Sequence, residues 1–227
     1  MSAPLRLILF DVDGTLVDSQ ATIVGAMRSA FSAAGLETPT RPALLSGVGL
    51  SLPVLMKALA PDADENTQHR LVSGYKEAYH DLRLTQGAAH SPLYPGARGL
   101  LEQLNETPDV LLGVATGKSK RGLDALIEAH GLERIFVTRQ VADHHPSKPH
   151  PSMIDTARAE IGVSRGDTVM IGDTSFDMQM AEAAGVAGIG VTWGYHHRDA
   201  LGSAQHMVGD FAQLAGVLNK FWTVDHE

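Results

Sequence analysis

The chain contains no cysteine. That single absence excludes disulfides, thiolate nucleophiles and Cys-based metal sites together. Long apolar runs are also missing: Leu7 to Phe10 and Val110 to Ala115 are far too short to span a bilayer. The N-terminus shows no basic region followed by a long apolar stretch, so no secretory signal is expected there. Basic residues are in deficit, 18 Lys and Arg against 26 Asp and Glu, for a net charge of −8. An acidic chain is a poor partner for nucleic acid or an anionic membrane surface. No internal repeat or low-complexity tract is visible. What remains is a 227-residue chain, long enough for one large domain or two modest ones with a real core. A cytoplasmic protein is expected, although the lack of cysteine is compatible with any compartment.

Several short apolar runs have strand length. The first is Leu5 to Phe10, and it stops at Asp11-Val12-Asp13-Gly14-Thr15. Val110–Ala115, Ile135–Val137, Thr168–Gly172 and Val186–Val191 follow much later. Buried runs separated by helical segments predict an α/β fold, a Rossmann-like doubly wound parallel sheet with crossover helices. Core helices are expected from about Ala97, over Lys118–His130, Pro151–Ile161 and Phe176–Ala184, and over Asp210–Phe221 with Asp210 as N-cap. Gly131, Gly162 and Gly185 sit where C-terminal glycines belong.

The stretch from Asp18 to Ala89 differs. Ala21–Ala34, Leu52–Leu59 and Thr67–Leu84 carry apolar residues at helical spacing, and prolines 39, 42, 53 and 61 punctuate the segment. It holds no strand-like run. It therefore reads as a small all-helical cap domain, residues 18–89, inserted after the first strand, with the core formed by 1–17 and 90–227.

In such sheets ligands sit at the carboxyl ends of the strands, and here those ends are polar. The first strand ends at Asp11 and Asp13, and the second at Thr116, Gly117 and Lys118. A later one ends at Gly172-Asp173-Thr174-Ser175-Phe176-Asp177, and Lys148 lies in the loop Pro146–Pro149. Taken alone, Asp11 and Asp13 are as readily a pair of turn-forming aspartates. Together with Asp173 and Asp177 they form a cluster that would repel, by about 4 kcal/mol per pair at ~4 Å in a partly screened site. That implies a compensating cation. With oxygen donors and no His or Cys ligand pattern, Mg²⁺ is the natural choice. Three carboxylates (with Asp13 protonated when it acts as an acid) are balanced by Mg²⁺ and Lys148. The resulting cage can accept a phosphate group that also meets the Thr116 hydroxyl and the Gly117 amide.

These residues resemble the four motifs of the haloacid dehalogenase superfamily of phosphatases. Asp11-Val12-Asp13-Gly14-Thr15 is similar to the first, Thr116 to the second, Lys148-Pro149 to the third and Gly172 to Asp177 to the fourth, in the expected order. The helical insertion resembles the cap of phosphoglycolate-phosphatase-like members. The resemblance implies a phosphatase acting on a small phosphorylated metabolite, a phosphoglycolate-like acid or a sugar phosphate. In it, Asp11 is the nucleophile that forms an aspartyl-phosphate, and Asp13 is the acid and then the base. Asp11, the Asp13 carbonyl and Asp173 hold Mg²⁺. Asp177 either ligates the ion or stands behind it, bonding water and lysine, and the second role is preferred. Lys148 neutralises Asp11 and phosphate, while Thr116 and Gly117 bind phosphoryl oxygens.

Dehalogenases and phosphonatases typically lack an acid at the position of Asp13, which argues against them in spite of Lys57 in the cap. Two alternatives stay open. One is a β-phosphoglucomutase-like phosphotransferase, although the fourth motif reads more like the hydrolases. The other is a non-catalytic receiver-like phosphoacceptor, which needs neither Asp13 nor the insertion.

Weaker features are read plainly. Asp18-Ser19 is expected to cap the first cap helix, and Lys118 and Arg121 to be solvated residues of a first helical turn. The pairs His144-His145 and His196-His197, and His150, are expected to be loop residues without zinc-ligand spacing. Trp193 and Tyr195 should pack against the core or shape its rim. Gly47-Val48-Gly49 is either an interhelical turn or a cap loop that dips toward the leaving group. Nothing in the sequence sets the physiological substrate or the oligomeric state.

Overall fold

A computed structural model describes residues 4–221; the outermost residues of the expected core, 1–3 and 222–227, lie outside the described residues. Strand β1 (Arg6–Phe10) is followed by four helices: α1 (Gln20–Ala33), α2 (Arg41–Leu45), α3 (Leu52–Leu59) and α4 (Glu65–Gln86). Then come α5 (Ala97–Asn105), β2 (Val110–Thr116), α6 (Lys120–His130), β3 (Phe136–Val141), α7 (Ser152–Ile161) and β4 (Thr168–Gly172). The chain ends with α8 (Ser175–Ala184), β5 (Ala187–Val191), β6 (His206–Val208) and α9 (Phe211–Phe221).

The strands form one sheet in the order β3-β2-β1-β4-β5-β6, parallel at every pairing. β1 lies between β2 and β4, the point from which the strand order runs outward in both directions. Its side chains alternate as a strand requires. Ile8 and Phe10 pack with Leu101 of α5, Leu126 of α6 and Leu214 of α9. Leu7 and Leu9 pack on the other face with Met153 of α7 and Met180 of α8. Burial on both faces is why β1 is continuously apolar.

Helices α1–α4 build a third apolar cluster, with Met27 and Phe31 of α1, Leu44 of α2, Met56 of α3 and Leu71 of α4 at its centre. α4 is capped by Asp64, whose carboxylate accepts from the Thr67 amide at 2.7 Å. Among the described residues no helix is long and apolar enough to cross a membrane.

Two strands differ from expectation. β3 runs to Val141 rather than Val137, because Thr138 and Gln140 point inward onto Glu160 of α7. Both donate to Glu160, at 2.6 and 2.8 Å, so a buried polar ladder replaces an apolar one. β6 has only three residues and begins at exposed His206, too little for an apolar signal. The helix expected to start at Lys118 starts at Lys120, because Ser119 is its N-cap and accepts from the Gly122 amide.

Candidate active site

Asp11 is the first residue past β1, its amide still donating to Ile171 of β4 at 2.8 Å. The chain then turns tightly. The amides of Thr15, Leu16 and Val17 all converge on the Val12 carbonyl, and Gly14 donates back to Val17. Gly14 has φ +91°, and a Cβ there would lie 2.2 Å from Asp173 Oδ2. Glycine is required twice over: by backbone conformation and by the approach of Asp173.

Asp173 follows β4, the strand beside β1. Its Oδ1 accepts from Thr15 Oγ1 at 2.9 Å and its Oδ2 from the Tyr195 amide at 2.8 Å. Asp177 lies in the first turn of α8 and forms a capping box with Thr174. Its Oδ2 accepts from the Thr174 amide and hydroxyl, and its Oδ1 accepts from Lys148 Nζ at 2.6 Å. Lys148 also reaches Asp11 Oδ1 at 2.7 Å. It is 1% exposed, so a fully buried ammonium ties β1 to α8.

Burial pushes the Asp11 carboxyl up to about 7, with Asp177 adding to the rise against the pull of Lys148. Burial likewise holds Asp173 well above the usual carboxylate range, reinforced by the charges of Asp11 and Asp177. Burial pulls Lys148 down, but Asp11 and Asp177 outweigh it and keep the ammonium charged. Lys148 pairs with Asp11 and Asp177 and leaves buried Asp173 without a cation among the described residues, a deficit of positive charge.

The same trio fits a divalent cation. Oxygens of Asp11, Asp173 and Asp177 lie within 4.8 Å of one another. Asp11 Oδ2 is buried and has no hydrogen-bond partner, an orphan that normally signals a missing ion or ligand. The donor set is all oxygen, as a hard cation prefers. Asp177 is already neutralised by the Lys148 ammonium, whereas Asp173 accepts from uncharged donors, so Asp11 and Asp173 are the better suited to an ion.

A cavity of about 490 Å³ opens onto Asp11, Asp13, Thr116 and Gly117. These four therefore share one chamber, with Lys148, Asp173 and Asp177 buried behind it. The loop between α2 and α3 reaches it: a Cβ on Gly117 would lie 2.4 Å from the Gly49 carbonyl oxygen. Gly47-Val48-Gly49 is thus in contact with the strand end that carries Thr116, and Ser51 donates its amide to Ser147 at 2.8 Å, one residue before Lys148.

Several readings need correction. Lys118 is not a solvated lysine. Its side chain is 8% exposed and pairs with Asp13 Oδ2 at 2.8 Å. It also donates to the Tyr79 hydroxyl of α4 at 3.1 Å and lies over the Tyr79 ring. Arg121 is exposed as expected, but its guanidinium meets His80 of α4. Ser19 makes no side-chain cap; its hydroxyl donates to Asp13 Oδ1 at 2.5 Å and meets the Tyr195 hydroxyl at 2.8 Å. Lys118 and Ser19 therefore hold both oxygens of Asp13. Lys118 sits two residues past Thr116 at a strand end, the one sequence signal that could have raised it; nothing local marks Tyr79 as its partner.

Two of these histidines are loop residues with structural partners: His196 lies between the Ser175 amide and the Ser46 carbonyl, and His145 between Gln140 and Ser152. Trp193 packs against the core and donates to the Thr15 carbonyl at 3.1 Å.

The haloacid dehalogenase-like hydrolase family matches residues 8–191. The "Probable phosphatase IndB" of Dickeya dadantii is 36% identical over 216 residues, covering 92% of both chains. A phosphoglycolate phosphatase of Vibrio parahaemolyticus is 28% identical over 88% of this chain and 89% of its own. A solved hydrolase structure from Pseudomonas syringae superposes with a TM-score of 0.84 at 24% identity, over 96% of this chain and 99% of that one. With a family match running from the first strand through the fifth, and all four motifs inside it, this chain belongs to the haloacid dehalogenase-like hydrolases.

Proposed function

We propose that this hydrolase is a Mg²⁺-dependent phosphatase that cleaves a small phosphomonoester through a phosphoryl group carried on Asp11. The observation that supports this most directly is the buried linkage of Lys148 to Asp11 and Asp177, with the second oxygen of Asp11 left orphaned beside Asp173. Asp11 and Asp173, with the main-chain carbonyl of Asp13, would hold the ion. It would supply charge neutralisation for the carboxylates and the phosphoryl oxygens.

The chain's own groups then divide the work. An Asp11 oxygen attacks phosphorus in line as the ester P–O bond breaks. Asp13 gives its proton to the departing alkoxide. In the second half, Asp13 takes a proton from water as the water oxygen attacks phosphorus, and the bond to Asp11 breaks. Lys148 favours the ionised form of Asp11 and orients it. Thr116 and Gly117 receive phosphoryl oxygens, and Lys118 with Ser19 fixes Asp13. The helical unit, residues 18–89 in this reading, covers the cavity and keeps bulk water from the phosphorylated Asp11. A small phosphorylated metabolite in the cytoplasm is the expected substrate; nucleic acid and membrane are not expected partners.

The test is phosphate release from a panel of phosphomonoesters with and without Mg²⁺, using the full chain and Asp11→Asn. Metal-dependent release that Asp11→Asn abolishes is expected. Full activity of Asp11→Asn would contradict the reading. A lasting phospho-Asp11 without turnover would point to a receiver, and isomerisation with little phosphate release to a mutase.

A further inference from the structure

The cavity that opens onto Asp11 and Asp13 has a far end with different chemistry. Its volume is about 490 Å³. That falls in the ~300–1,000 Å³ range of pockets that enclose drug-sized ligands. A two-carbon acid beyond the phosphoryl group would leave most of it empty. One stripe of α4 lines it, with Lys76, Tyr79, His80 and Arg83 at spacings of three and four residues.

Tyr79 marks the near end, because its hydroxyl accepts from Lys118, the partner of Asp13. One turn further on, two guanidinium groups converge on a single imidazole. Arg83 Nη2 lies 2.8 Å from His80 Nδ1, and Arg121 Nη2 lies 3.2 Å from both ring nitrogens. A guanidinium only donates, so these two cations share one ring as their acceptor. Among the described residues neither is paired with a carboxylate, although the chain as a whole is acidic. Lys76, exposed and one turn back on the same stripe, adds a third positive charge. The lining also includes the apolar side chains Ile23, Val48, Leu50 and Leu55, and the ring centroids of Tyr75 and Tyr79 are 5.7 Å apart.

We propose that Arg83 and Arg121 form a subsite for a second oxyanion. The substrate is then a phosphomonoester whose leaving group carries a ring-sized apolar body with a carboxylate or phosphate at its far end. The near end of this assignment rests on the phosphatase reading above. The spacing is consistent: Arg83 is four residues past Tyr79, about 6 Å along the helix axis, the span of a para-substituted ring. Paired guanidinium donors suit either oxyanion.

The test is calorimetric titration of the full chain with Mg²⁺ and non-hydrolysable phosphonates. 4-Carboxybenzylphosphonate is compared with benzylphosphonate, with the neutral 4-carbamoyl analogue and with 3-phosphonopropionate; a 4-phosphonomethyl analogue separates phosphate from carboxylate as the distal group. At least one doubly anionic ring compound is expected to bind about tenfold or more tighter than the neutral pair, and tighter than 3-phosphonopropionate. That ratio should fall to about one in Arg83→Gln/Arg121→Gln, and part way in Arg121→Gln, where the exposed side chain cannot threaten folding. A wild-type ratio near one, a ratio that survives both substitutions, stronger binding of 3-phosphonopropionate, or no phosphonate binding at all would overturn the proposal. Turnover of 4-carboxyphenyl phosphate and phenyl phosphate separates the two claims. Preference in binding without any turnover contradicts the phosphatase reading alone; turnover without preference contradicts the subsite alone.

Discussion

Asp13 and Asp11 are two residues apart, yet they sit in different chemistry. Both line the chamber, but Asp11 is bonded to the buried Lys148 ammonium, whereas Asp13 is held between Lys118 and Ser19. That separation suits a nucleophile and a proton carrier, and the consequences differ. Asp13→Ala is expected to lower kcat by about 10²–10⁴-fold, the usual worth of general acid–base catalysis, with Mg²⁺ binding retained; steady-state kinetics beside a metal titration checks both. Lys148→Ala leaves two buried carboxylates without their cation. The expected loss is about 3–5 kcal/mol of stability in metal-free protein, partly restored by Mg²⁺, as read by urea unfolding with and without the ion. At this scale the acidic cluster and Lys148 were legible in the sequence because each follows a strand or lies in a loop that a parallel sheet brings to one edge. Lys118, Ser19 and Tyr195 were not. Asp13, the partner of Lys118 and Ser19, is local to Ser19 only; Tyr195 joins through Ser19 and Asp173, and the network depends on how α4 and the loop after β5 pack over it.

At the scale of elements, β1, β2, β4 and β5 declared themselves because both faces of each strand are buried, which forces an unbroken apolar run. β3 hid half its length behind Thr138, Arg139 and Gln140, since polar ladders on α7 do not read as core. β6 was too short to show. The loop carrying Gly47 and Gly49 was only one reading among two, and the structure places its backbone against Gly117. That contact yields a prediction. Gly117→Ala puts a methyl group 2.4 Å from a backbone oxygen that no rotamer change can move. The loop must shift, so kcat/KM is expected to fall about tenfold or more, while Mg²⁺ still raises Tm because Asp11 and Asp173 are untouched. Thermal melts beside kinetics distinguish this from simple unfolding.

For the whole molecule, the buried acids couple folding to pH. Asp11 is raised to about 7 from an ordinary value of 3.8, and Asp173 moves the same way. Between about pH 4 and 7 the folded metal-free chain therefore holds more protons at these sites than the unfolded chain. Their contribution to stability is present at low pH and is lost as pH rises through that window. A divalent cation requires the ionised forms, so its stabilisation has the opposite slope. The increase in Tm on adding millimolar Mg²⁺ is expected to be small at pH 5 and to grow toward pH 8, and Asp11→Asn should flatten that trend. An increment independent of pH would mean that the ion binds elsewhere.

The most direct measurement is the mass of the chain itself during turnover. The Asp13→Asn variant with Mg²⁺ and an activated aryl phosphate, quenched in acid and digested, should show one phosphoryl group on the peptide bearing Asp11. Removal of Asp11 should abolish that adduct. Metal-dependent phosphate release that persists in Asp11→Asn, or a phosphoryl group found on any other side chain, would contradict the assignment of Asp11 as nucleophile.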